Sequence, residues 1–255
     1  MNRLNLAVEI SKTVGFYLMQ FFGKAKNIEE KENFQDLVTE HDKKAQEMII
    51  QEIKKYFPDD GILAEENNTK DMGKNQWVVD PIDGTINYIH GLPNFCISIA
   101  YYENKSPLIG VVYNPFTEEM FLAMKNLGAY LNHSKLEIKD INDLKFSIGS
   151  VGFSRKFTGK FIEKVENKVQ RIRILGSAAL SACYVAANKF DFFIAKRANP
   201  WDIAAAYLIV KEAGGEIINF QGNTPKIFER ESYIFSKPSI LEDIKNITNE
   251  IGGGV

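Results

Sequence analysis

The stretch Trp77-Val78-Val79-Asp80-Pro81-Ile82-Asp83-Gly84-Thr85-Ile86-Asn87-Tyr88 gathers the side chains best suited to chemistry. Two carboxylates, Asp80 and Asp83, follow an apolar run and stand three residues apart. Trp77 to Val79 reads as a short buried strand. Pro81 cannot donate a ladder hydrogen bond, so the strand is expected to stop there, and Gly84 permits a sharp turn. The amides of Gly84 and Thr85 then open a short helix, where free N–H groups favour an anion. Carboxylates for a hard divalent cation beside amides for a phosphate are the donor set of phosphoryl transfer. Read on the Asp-Gly pair alone, the same residues make an ordinary turn after a strand.

Other acidic residues sit where local structure would already account for them. Asp42 opens a helix expected over residues 42–57, with Ala45, Met48, Ile49, Ile53 and Tyr56 on one face. A carboxylate at that end satisfies orphan amides and the helix dipole. Glu65 and Glu66 emerge from a short strand at Ile62 to Ala64, after a turn at Pro58-Asp59-Asp60-Gly61; adjacent glutamates at a strand end are usually solvated. Asn199-Pro200-Trp201-Asp202 has the grammar of a helix start, and Gly214-Gly215 that of its end. Dipole compensation alone explains Asp202.

The elements carrying these residues fall into two regimes. A packing helix is expected from Leu4 to Phe22, then a charged stretch from Lys24 to Gln35 centred on Lys31, Glu32 and Asn33. After the central motif, strand-like runs at 96–102, 108–113, 119–124 and 129–131 form an antiparallel meander. Near Asp140 the rhythm changes. Strands at 146–151, 171–175, 190–195, 216–220 and 233–236 then alternate with helices at 159–168, 177–187, 201–213 and 239–249. The expected class is α/β, with an α+β half over 1–140, an α/β half over 141–255 and a frayed tail at Gly252 to Val255.

Composition narrows the function. The 255 residues are 45% hydrophobic and 25% charged, with a net charge of −2, as in ordinary soluble globular proteins. Charge of both signs is spread along the chain, which argues against nucleic-acid binding through a basic face. The longest apolar runs, such as Ile203 to Val210, fall far short of a membrane span, and Glu9 and Lys12 interrupt any signal-peptide pattern. Cys96 and Cys183 lie in apolar surroundings and read as reduced core residues of a cytoplasmic protein. His41, His90 and His133 fit no ligand pattern and are expected to be structural.

The string DPIDGTINY resembles the signature of the inositol monophosphatase family, D-P-[IL]-D-G-T-x-N-[FY]. Asp36-Leu37-Val38-Thr39-Glu40-His41-Asp42, Ala64-Glu65-Glu66-Asn67 and Asn199-Pro200-Trp201-Asp202-Ile203-Ala204-Ala205-Ala206 match further family segments in order and spacing. Gly176-Ser177-Ala178-Ala179-Leu180 also fits. The resemblance runs from about Leu4 to about Asn246. It implies a layered αβαβα sugar-phosphatase fold and a Mg²⁺-dependent phosphomonoesterase acting on inositol 1-phosphate, with two to three Mg²⁺ per site. Glu65, Asp80 and the carbonyl of Ile82 would hold the first ion. Asp80 would bridge to a second, bound also by Asp83 and Asp202, and a third, weaker ion would lie near Glu65. Thr85 and Asp42 would polarise the attacking water, with Glu65 assisting.

The resemblance also places Gly84 and Thr85 amides on the phosphate, beside Asp83, and Ser177 and Ala178 against ring hydroxyls of the substrate. It implies a mobile loop bearing Lys31, inhibition by Li⁺, and a homodimer. One position departs from the pattern. Many inositol-specific members have a glutamate six residues before the last-motif tryptophan; here it is Ala195, followed by Lys196 and Arg197. Two cations there could meet a second phosphate, or could simply lie on a solvated strand end. Fructose 1,6-bisphosphate is therefore the first alternative substrate. A 3′-phosphonucleotide is disfavoured, because DGTINY differs from that branch's DGTKEF-like string. A regulatory partner in RNA processing is the alternative from another class.

Overall fold

Alternation along one strand dictates the layering. In the computed structural model, which describes residues 1–25, 27–31, 37–66, 73–141 and 143–251, Trp77 and Val79 join one buried cluster while Val78 joins another. Successive side chains of a strand point to opposite faces, so both faces of this sheet must be covered.

In chain order the elements are α1 (Arg3–Met19), β1 (Glu29–Glu30), β2 (Leu37–Val38), α2 (Glu40–Tyr56), β3 (Gly61–Ala64), β4 (Asn75–Asp83) and α3 (Thr85–Ile89). The meander follows as β5 (Cys96–Glu103), β6 (Ser106–Asn114), β7 (Glu119–Met124), β8 (Gly128–Leu131) and β9 (Ser134–Leu136). Then come β10 (Ile148–Val151), α4 (Phe157–Val165), β11 (Arg171–Arg173), α5 (Ala178–Ala186), β12 (Phe192–Ala198) and α6 (Pro200–Glu212). The chain closes with β13 (Glu216–Ile218), β14 (Glu231–Ser236) and α7 (Leu241–Glu250).

Strands β3 to β9 make a seven-stranded sheet in sequence order, antiparallel except for the parallel β3–β4 pair. A five-stranded sheet has the order β11-β10-β12-β14-β13, with β11, β10 and β12 parallel. Helices α1 and α2 cover the outer face of the large sheet, packing Leu6, Ile10, Val14, Ile49 and Ile53 against Trp77, Val79 and Ile99. Helices α5 and α6 lie between the sheets; Leu180, Val185, Ile203 and Ile209 pack with Val78, Val112, Phe193 and Phe235. Helices α4 and α7 close the outer face of the small sheet through Phe161, Ile244 and Ile247 against Phe192 and Ile234. The expected αβαβα layering is thus observed. Helices apolar on nearly every side belong in the middle of such a stack, and Ala179, Ala182, Ala204, Ala205 and Ala206 let the neighbouring layers approach.

Three local expectations are corrected. Strand β4 does not stop at Pro81 but runs to Asp83, its pairing with β5 shifting between Asp80↔Ser98 and Asp83↔Cys96. Proline is tolerated at such a ladder irregularity, where no donor is required. Helix α2 starts at Glu40, and Asp42 is its third residue, closing a capping box whose N-cap is Thr39. The sequence reading also missed β9 and the antiparallel β1–β2 pair. The expectations placed on Glu32, Asn33, Asp36, Asn67 and the Gly252–Val255 tail lie outside the described residues. Among the described residues no helix is long and apolar enough to cross a membrane.

Where the central layer meets the large sheet, a β-carbon added at Gly110 would stand 2.5 Å from the Ala205 carbonyl oxygen. Backbone on one side leaves nothing flexible to give way. Gly110→Ala is expected to destabilise the protein by about 1–3 kcal/mol, the usual range for overpacking, read as a lowered urea midpoint with an unchanged m-value.

Candidate active site

Each functional side chain stands at the end of an element. Asp80 and Asp83 flank the irregularity that closes β4, and Glu65 follows β3, its amide bonded to the Val79 carbonyl at 3.3 Å. Gly84 takes a left-handed conformation at φ 95°, which turns the chain from strand into α3. A β-carbon there would lie 2.8 Å from the Asn94 carbonyl oxygen, so only glycine fits. Asp202 sits in the first turn of α6, where its Oδ2 accepts from the Asn199 amide at 2.8 Å.

Asp42 and Thr85 come together. The Thr85 hydroxyl lies 2.9 Å from Asp42 Oδ1 and 3.0 Å from the Ile82 carbonyl oxygen. Asp42 is 1% exposed, and its Oδ2 accepts from the Thr39 hydroxyl at 2.6 Å and the Thr39 amide at 2.8 Å. One carboxylate therefore both caps α2 and accepts from the Thr85 hydroxyl. The helix-cap and functional readings of Asp42 were never exclusive.

The four remaining acids converge electrostatically. Burial pushes the Asp80 carboxyl well above its ordinary range, and the charges of Glu65, Asp83 and Asp202 push it further. Asp202 is driven well upward by burial, then by Glu65 and Asp83, against the pull of the Asn199 amide and of Arg230. Glu65 lies in hydrogen-bonding contact with Asp80 and is raised by burial despite Lys31. Burial likewise raises Asp83, against donors from Ser177, Ala178, Ala179 and Cys96.

Among the described residues no three of these side chains already stand as a closed metal cage. Two neighbours explain why. The Lys31 ammonium holds Glu65 Oε1 at 2.8 Å and Glu66 Oε1 at 2.7 Å. Asp83 is turned towards the start of α5: Oδ2 accepts from the Ser177 hydroxyl at 2.5 Å and the Ala179 amide at 2.7 Å, and Oδ1 from the Ala178 amide at 3.1 Å. Ser177 and Ala178, expected against substrate hydroxyls, are engaged with Asp83, and Ser177 is only 3% exposed. The donor set still fits Mg²⁺. It is all oxygen, its ligands come from separate segments, and several buried like charges in mutual contact are held by few cations of the protein's own. Glu65, Asp80, Asp83, Asp202 and the Ile82 carbonyl would hold it.

Lys196 and Arg197 fall within the register shift of β12 against β14, between Ala195 and Ala198. Lys196 is half-buried and stands 5.9 Å from the Phe157 ring centre; Arg197 is exposed. His41 is buried, its Nδ1 2.9 Å from the Tyr17 hydroxyl and its ring stacked on Phe21, so it is structural. His90 and His133 are exposed. Two surface cavities, of about 300 and 340 Å³, contain none of these acids.

Sequence reading missed several participants. Cys96 is a buried free thiol whose Sγ lies 3.6 Å from Asp83 Oδ2, and burial pushes it well up, so it stays a neutral donor. Thr39 fixes Asp42, and Arg230 reaches Asp202 through the field. The Ser/Thr-x-x-Asp spacing of Thr39 and Asp42 was a legible signal for the first of these contacts. No local pattern marks Cys96 or Arg230.

A profile of the inositol monophosphatase family matches residues 2–251. The chain is 46% identical over 251 residues to a Thermotoga maritima protein described as fructose-1,6-bisphosphatase/inositol-1-monophosphatase, across 98% of this chain and 97% of that one. It is 33% identical over 226 residues to Nus factor SuhB of Xylella fastidiosa, across 86% of this chain and 82% of that one. Its fold is similar to that of the solved Thermotoga maritima IMPase, with a TM-score of 0.95, 45% identity and complete coverage of both chains. A solved IMPase/NADP phosphatase complexed with Mg²⁺ and phosphate is also similar, with a TM-score of 0.88 and 26% identity over 96% of this chain and 94% of that one.

The raised carboxyls make a stability prediction whose sign is fixed. A group whose folded pKa exceeds its unfolded value contributes stability at low pH that is lost as pH rises through the folded value. Glu66, pushed up to about 7 by burial and then by Glu65, sets the window from its ordinary 4.5 to about 7. In EDTA the Tm is expected to fall as pH rises from about 5 to 8, and added Mg²⁺ to restore much of it at pH 8 by binding the folded state alone. Scanning calorimetry across that range checks both limbs; a metal-free Tm that rises with pH contradicts the buried-acid picture.

Proposed function

The chain belongs to the inositol monophosphatase family, and from that premise we propose that it is a Mg²⁺-dependent phosphomonoesterase that hydrolyses inositol 1-phosphate to inositol and phosphate. The observation that carries the reading is the convergence of Glu65, Asp80, Asp83 and Asp202, from separate segments, beside the Asp42–Thr85 pair.

Bound Mg²⁺, two to three ions per site, would neutralise the phosphate dianion, acidify a water and shield the departing oxygen. The protein's own residues do the rest. Thr85 orients the attacking water through its hydroxyl, and Asp42 accepts the proton through Thr85 Oγ1; a hydroxyl is too weak a base to act alone. Glu65 assists in holding the water. The Gly84 and Thr85 amides meet phosphate oxygens. Water oxygen bonds to phosphorus as the ester P–O bond breaks, the leaving alkoxide takes up a proton from solvent water, and Asp42 returns the proton it accepted to solvent. No phosphoenzyme forms, and no side chain of the site is an activated nucleophile. Ser177 and the Ala178 amide act on the substrate side through Asp83, which they orient.

A second substrate, fructose 1,6-bisphosphate, is supported by Ala195 in place of an acid and by Lys196 and Arg197 at the adjoining bulge. The Thermotoga maritima relative is described with both activities. The Nus factor relative supports a partner-binding role beside catalysis; a binding scaffold alone has no need of acids that repel one another.

Asp83→Asn is expected to lower kcat with inositol 1-phosphate by on the order of 100-fold or more, as befits loss of a metal ligand worth about 3 kcal/mol. A panel of inositol, sugar and nucleotide phosphates with Mg²⁺ titration tests the substrate class, and no turnover of any phosphomonoester would sink it. Arg197→Ala should raise KM for fructose 1,6-bisphosphate by on the order of 10-fold, the worth of one charge-assisted contact, and leave KM for inositol 1-phosphate nearly unchanged. Equal effects on both substrates count against the second-phosphate role.

A further inference from the structure

Asn87 belongs to the central motif, yet none of the chemistry above uses it. Its side chain is buried, at 8% exposure, and its Nδ2 donates to the Asn94 carbonyl at 2.6 Å and to the Leu175 carbonyl at 2.7 Å. Asn94 precedes β5 in the first half of the chain, and Leu175 lies between β11 and α5 in the second. Both protons of one amide are thus spent on backbone segments brought from opposite halves.

Steric facts around this contact leave little slack. Gly84 and Gly176 are both left-handed, at φ 95° and 77°. A β-carbon on Gly176 would lie 2.9 Å from Asn87 Nδ2, and one on Gly84 would lie 3.3 Å from the Gly176 carbonyl oxygen. The turn carrying Leu175 and Gly176 therefore rests directly on the motif. Two residues past Leu175, Ser177 caps α5, and the Ser177 hydroxyl with the Ala178 and Ala179 amides grips Asp83. A rigid path leads from one carboxamide through a short turn to the acid.

We propose that Asn87 is a positioning residue: by tying the Leu175 and Asn94 carbonyls together it seats the start of α5 against Asp83 and fixes the direction in which Asp83 offers its oxygens to a divalent cation. Partners of this kind commonly tune metal affinity 10–100-fold without touching the ion. The proposal rests on the phosphatase reading only in needing Asp83 to be a metal ligand. Removing the donors would leave two half-buried carbonyls without their shared partner and free the turn to shift. The change would reach the cation through Asp83 alone.

The test is Mn²⁺ binding by the full chain, followed by titration calorimetry and by the EPR signal of free Mn²⁺, with no substrate present. Asn87→Ala is expected to weaken Mn²⁺ binding about 10-fold or more, while far-UV circular dichroism stays native. In an Asp83→Asn background the same change should leave the residual Mn²⁺ affinity unmoved, since the only path to the ion has been cut. Ser177→Ala severs the last link and should reproduce the loss, and combined with Asn87→Ala it should cost less than the two singly added. Wild-type affinity in Asn87→Ala overturns the proposal, as does an equal loss in the Asp83→Asn background, which would mark general loosening. If Asn87→Ala does not fold, unaltered Mn²⁺ binding by Ser177→Ala overturns it. Failure of the unmutated chain to bind Mn²⁺ at all strikes the phosphatase reading itself, and is distinct from these results.

Discussion

Like charges held close together and out of water are the constraint on which the rest of this molecule depends. Burial raises the cost of ionising Glu65, Asp80, Asp83 and Asp202 alike, and the charges of Glu65, Asp83 and Asp202 raise it further for Asp80. No chain gathers such a set without supports. Here they are specific: the Lys31 ammonium on Glu65, three donors from the start of α5 on Asp83, and the Asn199 amide on Asp202. Each support satisfies one part of a carboxylate and leaves the cluster as a whole short of positive charge. That deficit is what a divalent cation would fill.

Helices α5 and α6 give these supports their rigidity. They are buried between the two sheets, and both begin beside the acids. Asp202 caps the helix that carries it, whereas Asp83 comes from β4 and is received by a helix of the other half. Free amides and the positive end of the dipole favour a carboxylate in both places. The packing of the central layer, down to the contact of Gly110 with Ala205, thereby sets where the acids can point. The Tyr102 hydroxyl, bonded to the Ala204 carbonyl at 3.0 Å, pins α6 to β5 in the same way. Core packing and site geometry are one problem in this fold.

Local pattern was legible wherever a residue answers to its neighbours in sequence. The amphipathic face of α2, the Asn-Pro-x-Asp start of α6 and its glycine end are all found where spacing put them. The β5–β8 meander and the later alternation of strands and helices were readable for the same reason. Pro81 misled because its missing donor was weighed against a regular ladder, and the ladder shifts at that point. Strands β1, β2 and β9, of two or three residues, are too short to show a period.

The sequence by itself determined the run of strands and helices, through its apolar periods, while the layered stacking and the choice of acids to look for came from strings that resemble a family signature. Which oxygen of each acid is free, and what holds the other, only the tertiary structure decided. Ser177 follows Asp83 by 94 positions and Leu175 follows Asn87 by 88, and no periodicity reaches that far. The physical reason is that a hydrogen bond between distant segments depends on where whole layers come to rest. Layer positions follow from the summed packing of many side chains, none of which encodes the contact alone.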